Sequence, residues 1–139
     1  MSNPSVFEAK IPLPTAQLDA QEQNLLGFDA RYQRVSKRLQ LILQANELER
    51  WSQKFHKTKL ALIGLLNDQY PLAIFYGDVG TGKTATAEAI ANRLARDARL
   101  EDAILFKLSN KVRGTGKVGE MGTLITQAFE DISKAIGPG

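Results

Sequence analysis

The apolar positions Phe28, Tyr32, Val35, Leu39, Ile42 and Leu43 recur at the three-to-four spacing of one helix face, predicting a helix from Phe28 to near Arg50. A second helix is expected over residues 54–67, stopped before Pro71. The pattern then changes. Leu72-Ala-Ile-Phe-Tyr76 is a compact apolar run, short enough for a buried strand, and the alanine-rich residues 85–96 contain no Gly or Pro and predict a helix. Residues 103–108 predict a second strand. The most regular stripe is the last, with Met121, Leu124, Ile125, Ala128, Phe129, Ile132, Ala135 and Ile136 on one helical face. Residues 1–24 hold Pro4, Pro12 and Pro14 among polar residues and predict an extended arm, leaving 25–139 as the folded domain.

Strand, loop, helix, strand and helix in that order predict a right-handed βαβ unit, hence an α/β fold on a parallel sheet with flanking helices. Parallel sheets are covered on both faces and rarely stop at two strands. The sheet is therefore expected to be incomplete, with one apolar edge open.

The residues between the first strand and its helix carry the sharpest chemical signal. Gly77-Asp-Val-Gly-Thr-Gly-Lys-Thr84 reads GxxxxGK[ST], the phosphate-binding loop of nucleoside-triphosphatases. Gly77, Gly80 and Gly82 allow the backbone to curl so that amide groups point inward at a phosphate. The helix start adds unpaired N–H groups and the positive end of its dipole. Lys83 is expected against the β- and γ-phosphates and the Thr84 hydroxyl on Mg²⁺. The candidate cofactor-binding set is Gly77, Asp78, Val79, Gly80, Thr81, Gly82, Lys83, Thr84 and Ala85, with Thr84 as the metal ligand.

Charge adds a second, blander feature. The net charge is +3, but residues 31–59 hold eight Lys/Arg against two Glu, while the first 29 hold Lys10 alone against Glu8, Asp19, Glu22 and Asp29. The basic run is read as the solvated face of two helices, with nucleic acid or an acidic partner as the alternative. His56 and Trp51 are read as surface and helix-end packing residues, and Arg93 and Arg96 as solvated. There is no cysteine, which excludes disulfides and thiolate metal sites. No apolar leader or membrane-length run is present, so the cytoplasm is the expected location.

The segment GDVGTGKTATAEAIANRLA resembles the Walker A segment of AAA+ ATPases. Leu25-Leu-Gly-Phe-Asp29 before a helix is similar to that family's short adenine-contact motif, which makes Leu26 and Gly27 candidate base contacts. Lys117-Val-Gly-Glu-Met-Gly-Thr-Leu-Ile-Thr-Gln-Ala-Phe129 resembles the stretch from the substrate-gripping pore loop into its helix, which assigns Lys117, Val118 and Gly119 to that loop. Lys117 stands where the family usually has an aromatic residue. The resemblance implies ATP and Mg²⁺ as cofactors, ring self-association and a protein substrate, and within the family it is nearest to remodellers of HORMA-type domains. It also frames an expected lack. No acidic residue after Thr84 ends an apolar strand as Walker B requires, and the sensors and arginine finger have no counterpart. The chain is thus expected to be truncated before Walker B, to carry no catalytic residue and to bind ATP without hydrolysing it. The alternative is a non-hydrolysing interaction module that partners a full-length ATPase or associates with nucleic acid.

Overall fold

The computed structural model describes residues 6–68, 71–109 and 118–136. They fall into two compact units, one holding residues 6–12, 104–109 and 118–136, the other residues 13–68 and 71–103. Among the described residues no helix is long and apolar enough to cross a membrane.

In the first unit, strand β1 (Phe7–Leu13) lies beside β2 (Ala103–Leu108) in a two-stranded sheet. The pairing is antiparallel: Ser109 N–H donates to the Val6 carbonyl at 2.8 Å, and Lys107 meets Glu8 at 3.8 Å. The Phe7 and Phe106 rings stand 5.3 Å apart, with the Lys10 amine over both, so cross-strand aromatic contact holds the register. Helix α6 (Glu120–Ile136) follows its predicted span. Thr123 and Thr126 donate back to the carbonyls of Gly119 and Gly122, which satisfies two hydroxyls within the helix.

The second unit is helical. It comprises α1 (Ala16–Gln23), α2 (Phe28–Leu43), α3 (Ala45–His56), α4 (Ala61–Asn67) and α5 (Lys83–Asp97). Its core joins Phe28 and Tyr32 of α2 to Ala89, Ile90 and Leu94 of α5, with Leu25, Val35, Leu39 and Phe75 packed around them. Full burial of each large apolar side chain contributes about 1.5–3 kcal/mol, so this cluster fixes how α2 crosses α5. The predicted stripe of α2 is therefore its core face, up to Leu39.

Four expectations differ from the structure. The long helix stops at Leu43 rather than near Arg50, where its stripe leaves the core and Leu43 becomes exposed. The second helix divides in two: Lys57 adopts a left-handed φ of 54°, and buried Ser52 bridges the turn by donating to Thr58 O and accepting from Leu60 N. The segment expected to be extended through residue 24 is so only over β1, because residues 16–23 form α1 and pack along α5.

The run Leu72–Tyr76 is not a strand here. Residues 71–77 belong to no element, and Leu72, Ile74 and Tyr76 are exposed while Phe75 turns into the core. Phe75 alone of the run is partly covered; Ala73 is exposed like its neighbours. Among the described residues the run has no neighbouring strand to complete a hydrogen-bond ladder.

Candidate functional site

The glycine loop follows this extended segment and ends in α5. Gly80 and Gly82 adopt φ of 81° and 82°, a left-handed conformation that L side chains rarely take. Thr81 Oγ1 donates to the Asp78 carbonyl at 2.8 Å and closes the loop's turn. Gly82 is the N-cap of α5, and no side chain caps the helix there. The first turn of α5 carries no acidic residue, so its N–H groups and dipole face outward without a competing anion.

Lys83 folds back over the loop, its amine donating to the carbonyls of Gly77 at 2.8 Å and Asp78 at 2.6 Å. A phosphate chain would offer the ammonium charged acceptors in exchange for these neutral ones, the stronger class of hydrogen bond. Thr84 is exposed beside it, free to present its hydroxyl to a metal, and Val79 at the loop tip is fully exposed. The Ala85 carbonyl accepts from Gln21 Nε2 at 3.1 Å, which ties the first turn of α5 to α1. Uncapped helix donors, left-handed glycines and a mobile-length lysine at one point form a set that fits a nucleotide's phosphates.

The loop's inner side opens on a cavity of about 580 Å³ lined by Arg31, Arg34, Val35, Ile74–Asp78, Thr81, Lys83 and Thr86. Sequence reasoning assigned Arg31 and Arg34 to a solvated helix face; they stand instead on the wall that Lys83 shares. Thr86 is buried, and its hydroxyl has no hydrogen-bond partner among the described residues.

Leu26 and Gly27 lie in the turn between α1 and α2. Gly27 has φ 68° and is the N-cap of α2. The Leu25 side chain reaches within 3.9 Å of where a Cβ on Gly82 would stand, so this turn abuts the end of the glycine loop. Leu26 is 91 % exposed, an aliphatic side chain held at the surface next to the phosphate loop. Of the pore-loop candidates, Lys117 lies outside the described residues. Val118 is fully exposed, and Gly119 has φ 78° and accepts the first helical bond of α6.

A set of residues that sequence reasoning missed fastens α1 to α5. Asn92 is fully buried: its Oδ1 accepts from Thr15 N–H and its Nδ2 donates to Asp19, both at 2.7 Å. Arg96 meets Asp19 at 2.6 Å and Glu22 at 3.7 Å. Arg93 donates from Nη1 to Glu22 at 3.3 Å and to Asp29, and lies 3.8 Å from Asp97. Its guanidinium also stacks over Tyr32, 4.5 Å from the ring centroid. The Asp29 hydrogen bond raises the Arg93 pKa against the opposing effect of burial, and the charges of Glu22, Asp29 and Asp97 add to the rise. Tyr32 donates to Asp97 at 2.6 Å, and burial followed by this bond pushes its pKa up to about 12. The signal in the sequence was the acidic excess of the first 29 residues, whose counter-charges sit more than sixty residues away.

Residues 73–137 match the ATPase family associated with various cellular activities (AAA), so over those residues the chain is similar to the AAA+ ATPases. Nucleotide binding is general in that family. Among curated proteins it is similar to "CD-NTase-associated protein 6" of Escherichia coli strain KTE188, 57 % identical over 137 residues, covering 99 % of this chain and 46 % of that protein. A protein of the same name from Escherichia coli strain MS 115-1 is 35 % identical over 125 residues, covering 90 % of this chain and 40 % of that one. Among solved structures, a chain of "Structure of E. coli MS115-1 HORMA:CdnC:Trip13 complex" superposes with TM-score 0.74 at 34 % identity, over 96 % of this chain and 46 % of that one. "Structure of Rhizobiales Trip13" follows with TM-score 0.65 at 32 % identity, over 93 % of this chain and 46 % of that one. The chain spans about half the length of the curated relatives it matches.

Proposed function

We propose that these residues are the ATP-binding portion of an AAA+ protein remodeller, with Gly77–Ala85 holding the phosphates, Lys83 on the β- and γ-phosphates and Thr84 on Mg²⁺. The observation that carries the reading is the left-handed Gly80 and Gly82 leading into an α5 whose first turn has no side-chain cap and no acid, with the Lys83 amine folded over the same loop. Leu26 and Gly27 are assigned to the base, supported by the Leu25 side chain lying 3.9 Å from where a Cβ on Gly82 would stand. Binding rather than turnover is the function proposed for these residues themselves.

For the whole protein we propose ring assembly in the cytoplasm and a HORMA-type domain as substrate, gripped by Lys117, Val118 and Gly119. The support is the similarity to a chain of a HORMA:CdnC:Trip13 complex. Displacement of a fluorescent ATP analogue tests the metal assignment. With Thr84→Val the Mg²⁺-dependent gain in affinity should vanish while metal-free binding persists. An unchanged Mg²⁺ dependence would remove Thr84 from the site.

A further inference from the structure

Arg93 lies ten residues beyond Lys83 on α5, about 15 Å along the axis at 1.5 Å per residue, too far to touch the phosphates. Its side chain nevertheless meets both ends of one loop. Nη1 donates to Glu22, near the end of α1, and to Asp29, in the first turn of α2; between them run Gln23, Asn24, Leu25, Leu26, Gly27 and Phe28. The contact is half-buried and over-determined. The Glu22 side chain is 12 % exposed, Asp97 approaches the guanidinium from α5 itself, and the Tyr32 ring covers its face. Asp29 is largely exposed, so its share is screened and Glu22 carries more of the restraint.

We propose that Arg93 is a positioning residue that clasps the Gln23–Gly27 turn beside the phosphate loop and so sets affinity for the base end of the nucleotide. The inference rests on the nucleotide-binding reading above. Within this turn Leu25 anchors against the core and the end of the glycine loop, while Leu26 projects into solvent as the one large apolar group there. An aliphatic side chain on a tethered turn offers a flat base a packing surface. On an untethered turn the same side chain is in place only part of the time, and apparent affinity falls by that fraction.

The test compares ATP with inorganic tripolyphosphate, which has the phosphates and no base, on the natural chain, Arg93→Met and Arg93→Lys. Amide exchange of residues 23–28 is followed in the absence of ligand. Arg93→Met is expected to weaken ATP roughly fivefold, as for a turn in place a fifth of the time, and to leave tripolyphosphate within about twofold. Exchange at residues 23–28 should rise while the interior of α5 keeps its protection. Arg93→Lys, which keeps the charge but not the fork, should fall between. Equal weakening of both ligands, or exchange that rises throughout α5, would make Arg93 a fold residue and overturn the proposal. Should the natural chain bind neither ligand, the nucleotide reading falls, and unchanged exchange at residues 23–28 in Arg93→Met would overturn the clasp as well.

Discussion

Replacing Asn92 with Ala removes both bonds by which the interior of α5 holds the start of α1. Two losses follow from the geometry. Thr15 N–H, at the N-cap of α1, loses its acceptor at 2.7 Å in a half-buried setting, worth about 1–2 kcal/mol. Asp19 loses one of its donors but keeps Arg96 at 2.6 Å, and because it is itself partly exposed this second loss is held to about 1 kcal/mol. The fully buried site adds a small cavity term, for a total of about 2–4 kcal/mol. Urea unfolding followed by helical circular dichroism measures it directly, and exchange of the α1 amides reports where the damage falls. Asp19→Ala in the same background should cost less than it does in the natural chain, since the two side chains share one bond. A loss below about 1 kcal/mol, or full additivity of the two substitutions, would refute the view that Asn92 latches α1 onto α5.

Tyr32→Phe should cost about 1–2 kcal/mol at neutral pH, since Asp97 loses its 2.6 Å donor. The folded pKa of about 12 stands above the unfolded value of 10, so the Tyr32 contribution is complete below pH 10 and is lost as pH rises through 12; the stability difference between natural chain and variant should shrink over that window. Leu26→Ala should leave the melting temperature unchanged, because the side chain is 91 % exposed, yet weaken ATP; a stability loss without an affinity loss would place Leu26 in the fold instead. Gly82→Ala forces a Cβ onto φ 82° and should destabilise by about 1 kcal/mol while weakening phosphate binding, read by thermal melts with and without tripolyphosphate.

What could be read from the sequence was whatever the chain states locally. The apolar stripe from Phe28 to Leu39 is a core face because successive contacts lie three or four residues apart, and the glycine loop announces its backbone by residue type alone. Helix α1 was invisible for the converse reason. Leu18 is its single fully buried apolar residue, so no helical stripe exists, and three nearby prolines argue for an arm. What holds it is a set of polar pairs with α5, Asp19 and Glu22 to Asn92, Arg93 and Arg96, whose partners lie some seventy residues apart. The acidic bias was visible in composition, but not its destination. The run at Leu72–Tyr76 failed differently: its apolar character was legible, but a strand also requires a neighbour, and a single segment cannot state whether one lies beside it.

Calorimetric titration with ATP, with and without Mg²⁺, on the natural chain and on Lys83→Ala bears most directly on the central claim. The account predicts binding by the natural chain and a loss of at least about tenfold in the variant, the size expected when one charge-assisted contact to phosphate disappears. Circular dichroism of the two should coincide, since among the described residues Lys83 bonds only to exposed loop carbonyls. Equal ATP affinity in both proteins would contradict the assignment of this loop to phosphate.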